Sequence, residues 1–395
     1  MEGGSRLLDP RWQAGVAAPI ALLLIATGAV SAEHAGAEVR ELAPVVGFLV
    51  AVLVLAAGCQ GEGLFAAAAE RVARRSGGAP VRLLAGVFGL ATVSTVVLSL
   101  DTTVVLVTPV VVAAARHSRL RPEPGAYASG HLANSASLLL PVSNLTNLLA
   151  LAVIPIGFGR YLGLMLLPWL VVLAIEWAGL RLVFRPELRV RGSIDRDDPV
   201  TPIPWFAAAV VGLTLVGFVV ASALEVPVAW PAAAGAAALA GRRLAARRTT
   251  VKAVVASGQI PFAVFVLALG IIVRAISDNG GSTLLSHLIP GGSSLPDLLA
   301  IVVLGAIVAN LVNNLPATLL LLPLVAGGGV GPVLALLIGV DVGPNLTYPG
   351  SLATLLWRRQ VGSLASVRRW TVLGLVTVPA ELLLATVGLW LALRI

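Results

Sequence analysis

Four short polar strings interrupt a chain that is otherwise strongly apolar, and they carry most of the side chains that could do chemistry at membrane depth. They are Ser99, Asp101, Thr102 and Thr103; Ser143, Asn144, Thr146 and Asn147; Asn310, Asn313, Asn314 and Thr318; and Asp341, Asn345, Thr347 and Ser351. Hydroxyls and amides offer a ligand both donors and acceptors. Carboxylates at such depth are costly and functional by default. Burial disfavours the charged form of a carboxyl group, which is what a proton carrier needs, so Asp101 and Asp341 are the candidate proton-coupling residues. A permanently ionised Asp held by helix N-termini or by a bound cation is the competing reading. For any single Asn, Ser or Thr, capping of an interrupted helix is an equal alternative; four clusters in corresponding positions weigh against it.

Other titratable groups are sparse. Glu381 falls in the middle of an apolar run, beside Val378 and Pro379, and is read as structural or interfacial; Glu62 and Glu176 lie near run ends and are read as solvated. The four histidines, His34, His117, His131 and His287, have no metal-ligand spacing, so no metal site is expected. Cys59 is the only cysteine, which excludes an intrachain disulfide or thiolate cluster, and it reads as a small buried hydrophobe. Neither H-E-x-x-H, G-x-S-x-G nor a phosphate-binding G-x-x-x-x-G-K-[ST] loop occurs. Neither an enzyme nor an ATP-hydrolysing subunit is therefore expected.

The surrounding elements must hold these groups in lipid. The chain has 395 residues, of which 58% are hydrophobic and 12% charged, about half the roughly 25% charge of soluble domains. An all-α polytopic membrane protein follows, with about nine to ten spans at about 20 residues each. The net charge of +8 does not point to nucleic acid, because the arginines cluster in short loops between apolar runs, the pattern that fixes orientation. Apolar runs cover 12–31, 42–58, 161–184, 205–222, 226–240, 260–273 and 370–393, with an amphipathic stretch at 64–75 and an outer loop at 33–38. Residues 29–32 resemble a signal-peptidase site, but 12–31 reads equally well as a retained span.

Residues 83–115, flanked on both sides by arginines, are short for two crossings and predict a re-entrant hairpin that opens inward, with its polar tip at Asp101. A helix broken at Pro141 follows over 127–155. The plan recurs as an outward-opening hairpin at 298–325 and a broken helix at 332–357. The chain thus divides into two inverted repeats, 1–196 and 197–395. This topology leaves only Arg40, Arg160, Arg274 and Arg394 outside, and 23 of the 27 basic residues (27 − 4) inside.

Residues 98–109 (LSLDTTVVLVTP), 133–147 (ANSASLLLPVSNLTN), 312–317 (VNNLPA) and 339–357 (GVDVGPNLTYPGSLATLLW) together resemble the arsenite/antimonite efflux permeases (ArsB type) of the ion transporter superfamily. The resemblance runs in order over nearly the whole chain. It implies a homodimer in the bacterial inner membrane that moves a hairpin-bearing part against a scaffold, elevator-like. It also implies export of arsenite and antimonite in exchange for protons, alone or with a separate cytoplasmic ATPase subunit. No cofactor is implied beyond the proton gradient. The candidate substrate-binding set is Asp101, Thr102, Thr103, Ser143, Asn144, Asn147, Asn310, Asn313, Asn314, Thr318, Asn345, Thr347 and Ser351. This chain departs from the family pattern at Leu100, where an Asn is usual, at Glu381, where an apolar residue is expected, and in lacking one early span. Sodium/proton antiport or sodium-coupled anion transport within the same superfamily is the alternative. No arginine falls in a tip or break, which argues against a dicarboxylate cargo.

Overall fold

The computed structural model describes residues 10–193, 201–224, 226–281 and 289–395, and among them every regular element is helical. The first half runs α1 (Pro10–Ala26), α2 (Ala32–Gly61), α3 (Leu64–Ser76), α4 (Pro80–Leu98), α5 (Leu100–His117), α6 (Glu123–Ser135), α7 (Leu145–Val153) and α8 (Phe158–Val183). The second runs α9 (Trp205–Ala223), α10 (Ala229–Ala245), α11 (Val251–Ser257), α12 (Ile260–Ile276), α13 (Leu295–Val312), α14 (Asn314–Ala326), α15 (Val330–Val342), α16 (Leu352–Val361) and α17 (Val367–Ala392). Eight helices in the described residues are long and apolar enough to cross a membrane, and three shorter apolar helices accompany them. The chain is thus an all-α polytopic membrane protein.

Two expectations change. The stretch 33–38 is not a loop: Ser31 caps α2, its Oγ accepting from the His34 amide at 3.1 Å, so the helix starts before the apolar run does. The first hairpin is longer than 83–115, because proline at the start of α4 and the arginine-bearing ends fold as extra helical turns. Its 19-residue first arm spans about 28 Å, so arm length does not by itself make it re-entrant. The expected boundary between the halves, at 196/197, lies outside the described residues.

The hairpin tips share an unusual backbone. Ser99 (φ 132, ψ 163) ends α4 and Asn313 (φ 84, ψ 156) ends α13. Both lie at positive φ, costly for a residue with a side chain. Each tip amide donates back into its own arm, Ser99 to Ser94 at 3.3 Å and Asn313 to Ala309 at 2.8 Å. The breaks recur as closely. Leu140 and Thr347 are extended, single 3-10 turns follow at Pro141–Ser143 and Tyr348–Gly350, and the extended Asn144 and Ser351 then cap α7 and α16. The caps are 207 positions apart (351 − 144), as are the extended residues before them (347 − 140).

The halves interlock. The first hairpin packs against α16, and the second hairpin against α7, so each grips the short helix after the other half's break. Beside the first contact, α16 also reaches α6 and α17: Trp357 donates from Nε1 to the Ala126 carbonyl at 2.7 Å and lies against Tyr127 and Trp370. On the other side, α13 and α15 come together at Gly339, where a Cβ would run into the Val302 carbonyl oxygen. A backbone carbonyl cannot rotate aside, so Gly339→Ala must separate the helices. The expected cost is about 1–3 kcal/mol, read as a lower Tm of the purified protein. An unchanged Tm would show that the two helices do not meet there.

Candidate functional site

Four helices begin at one cavity. Leu100, Leu145, Asn314 and Leu352, the first residues of α5, α7, α14 and α16, all line a space of about 190 Å³. The reason is local: each strained tip and each extended cap turns the chain sharply, and the helix after it starts there, with one amide capped by Ser99, Asn144 or Ser351 at three of the four ends. Four partial positive charges therefore face the same volume. Phe48, Phe262 and Phe265 from α2 and α12 close its apolar wall. Its polar lining comes from Gln13, Ser99, Asp101, Ser143, Asn144, Asn313 and Asn314; no arginine or lysine among the described residues lines it.

Asp101, on the first turn of α5, is the cavity's only carboxyl group among the described residues. Ser143 Oγ donates to the Val96 carbonyl at 2.8 Å, tying the break to the first hairpin. Asn313 Nδ2 reaches the Pro349 carbonyl at 3.4 Å, the corresponding tie in the second half. Asn144 faces two ways: it lines the cavity, and its Nδ2 donates to Asp341 Oδ1 at 2.9 Å.

The other candidates lie behind this lining. Asp341 is fully buried near the end of α15; Oδ1 also accepts from Thr146 Oγ1 at 2.8 Å, and Oδ2 has no partner among the described residues. Thr102 Oγ1 shares a hydrogen bond with Ser99 at 3.1 Å and Thr103 Oγ1 one with Thr95 at 2.8 Å, both inside the hairpin. Asn147 Nδ2 satisfies the Ser137 and Leu140 carbonyls freed by the first break. Asn310 satisfies Gly343 in the second break and accepts from Thr347 Oγ1 at 2.6 Å. Thr318 donates to Asn314 O, and Ser351 caps α16. Asn345 leaves the cavity altogether: Oδ1 accepts from Asn134 Nδ2 at 2.8 Å, and Nδ2 lies 2.8 Å from Ser135 Oγ and 3.1 Å from Glu176 Oε1.

That last contact corrects the reading of Glu176. It is not solvated but fully buried, because its helix α8 packs along its length on α17. Glu176 Oε1 also accepts from Ser135 Oγ at 2.7 Å and lies 3.1 Å from His131 Nδ1. Cys59 is fully buried, as its reading required.

A family model described as citrate transporter (CitMHS) matches residues 9–340. Arsenical pump membrane proteins of Yersinia enterocolitica and Escherichia coli are each 26% identical over 332 residues, covering 78% of this chain and 76% of theirs. The crystal structure of the Alcanivorax borkumensis YdaH transporter, described as having an unusual topology, superposes with a TM-score of 0.59 over 98% of both chains at 16% identity, a likeness of fold. These relatives are membrane transporters, which bears out the resemblance to the arsenite/antimonite permeases and the reading as a transporter and not an enzyme. With its apolar spanning helices, the chain is a multi-pass protein of the inner membrane. Matched by that model over most of its length, it belongs to the citrate transporter family.

Proposed function

We propose that this chain exports trivalent arsenic and antimony hydroxide from the cytoplasm in exchange for protons, with the central cavity as the solute site and Asp101 as the proton acceptor within it. The observation that carries the reading is a cavity in which, among the described residues, four helix N-termini face one carboxylate and no basic side chain. Arsenite near neutral pH is an uncharged trihydroxide. Its oxygens suit the amide donors at the helix ends, and its hydroxyls suit the Asp101 carboxylate and the Asn and Ser side chains. A proton on Asp101 removes its charge and turns one of its two acceptor oxygens into a donor, which weakens its hold on the solute's hydroxyl, so solute and proton compete. The arsenical pump relatives support this choice of cargo.

The four positive helix ends also favour a second reading, sodium-coupled transport of a small anion, in keeping with the family's description. They give no support to sodium/proton exchange at this cavity. The decisive experiment is growth of a cell lacking its own exporter on arsenite, antimonite or sodium, with arsenite uptake by everted vesicles alongside. Protection against the metalloids alone supports the proposal. No protection, with citrate counterflow in vesicles, would replace it by the second reading.

We read the halves as inverted repeats whose hairpins enter from opposite sides and move elevator-like within a homodimer; a cytoplasmic ATPase subunit is an optional partner. The recurrence of tip and break backbones supports the repeat. In a Cys59→Ser background, which is expected to keep export, single cysteines replacing Thr27 and Gly327 should label from outside. Replacements of Arg116 and Arg248 should label only after permeabilisation, because arginine clusters resist translocation. External labelling at position 116 would overturn the inverted arrangement.

A further inference from the structure

A second group of ionisable side chains lies between α6, α8 and α17, away from the cavity lining. His131, Glu176 and Glu381 are all fully buried. Both carboxyl oxygens of Glu381 lack a hydrogen-bond partner among the described residues, as do Glu176 Oε2 and His131 Nε2. α8 and α17 pack antiparallel, Gly179 against Thr377 and Pro168 against Gly388, which brings Glu381 to the level of Glu176, and the His131 ring lies tilted against Trp370 of α17, centroids 4.4 Å apart.

Charge bookkeeping limits the states open to this group. An ionised carboxylate with no donor cannot persist in an apolar interior, and two adjacent buried carboxyl groups cannot both ionise. The other charged groups of the packed elements do not relieve this. Arg181 lies over the Trp177 ring, Arg369 pairs with Glu187 at 3.2 Å, and Arg394 lies over Trp390. Glu123 of α6, Asp297 of α13 and Asp341 of α15 would add only negative charge, and Tyr161 donates to the Leu138 carbonyl. His131 is the only basic side chain hydrogen-bonded to the pair among the described residues. Glu381 thus holds a proton, while Glu176 faces the donors His131, Ser135 and Asn345.

We infer that His131, Glu176 and Glu381 form a proton-binding site separate from the solute cavity, and that the second break reads its state through Asn345. This deepens the proton-coupled reading above and rests on it. The link is direct: Asn345 sits in the Gly343–Leu346 turn of the second break and reaches Glu176 Oε1 at 3.1 Å, beside Ser135 Oγ and the His131 carbonyl. With Glu176 ionised these hydrogen bonds are charge-assisted, roughly twice as strong as neutral ones. A proton that Glu381 passes to Glu176 while taking up another weakens the hold on Asn345 and frees the break; its departure by the same route restores the hold. One proton binds and one leaves per cycle, and no other group is consumed.

The test uses the full chain reconstituted in vesicles. Infrared spectroscopy should find an absorbance of protonated buried carboxyl at neutral pH that Glu381→Gln removes and Asp101→Asn leaves. The same Glu381→Gln protein should lose accumulation driven by a proton gradient, from about fifty-fold to none, yet keep downhill arsenite exchange. An unchanged carboxyl band would overturn the site. A lost band with intact accumulation would overturn its part in coupling. The infrared arm needs no solute, so it decides the site even if arsenite proves not to be the cargo. If Glu381→Gln fails to fold, Glu381→Met, apolar and of similar length, takes its place; retained accumulation in that variant would also overturn the coupling role.

Discussion

Vesicles containing the Asp101→Asn protein, given only a proton gradient, are expected to accumulate no arsenite, while downhill exchange of solute for solute continues. One proton moving down 100 mV releases about 2.3 kcal/mol, enough for a roughly fifty-fold accumulation ratio. The ratio should fall to about one. The substitution keeps the size of the side chain and an acceptor oxygen at the tip of the first hairpin, so the four helix ends still have something to hold. What it removes is the group whose charge changes. Asp101 lines the cavity, whereas Asp341 is shielded behind Asn144, so Asp101 is the carboxyl group that solute and proton can contest. Full accumulation by Asp101→Asn would exclude it as the carrier and leave the buried glutamate pair in sole charge of coupling.

Asn144→Ala is expected to lower both stability and transport more than any other change in the polar lining. Asn144 caps α7 through its Oδ1, donates to Asp341, and lines the cavity. Loss of the cap costs about 1 kcal/mol. Leaving the buried Asp341 with a single side-chain donor costs about 1–3 kcal/mol more. Together these predict a destabilisation of about 2–4 kcal/mol, measured as a shift in Tm or denaturant midpoint. If the contact to Asp341 is the reason, Asp341→Asn should cost less in the Asn144→Ala background than alone, with a coupling of about 0.5–3 kcal/mol. Strict additivity of the two would show that the contact carries no energy.

The tips and breaks were legible because polar residues and proline inside apolar runs have few explanations at membrane depth. Asp101, Ser143, Asn144, Asn313 and Asn314, singled out by that signal, line the cavity. The remaining candidates could not be sorted from them by type. A broken helix frees carbonyls and amides, and Asn147, Asn310 and Thr347 are taken up by those groups before any ligand could use them. Nearness to the end of an apolar run does not give Glu176 access to water. The apolar run does not reveal that α17 would lie over it. The usable signal was that any carboxyl within a helix of 26 residues is an intramembrane group until shown otherwise. Glu381 carried that same signal, and its meaning became readable only when Glu176 was found beside it.

The interlocked hairpins set a timetable for biogenesis. The first hairpin's partner helix, α16, carries Trp357, whose bond to Ala126 of α6 joins residues 231 positions apart. At about 5–20 residues per second the first half waits roughly 10–50 s in the bilayer with that face open. During this interval it is exposed to lipid, to membrane proteases and to the hairpins of neighbouring nascent chains. A second copy of the chain offers the same short helix as the missing half, so exchange between two copies competes with correct closure. Slow synthesis of the second half should therefore raise degradation and domain-swapped assemblies without altering the stability of molecules that close correctly.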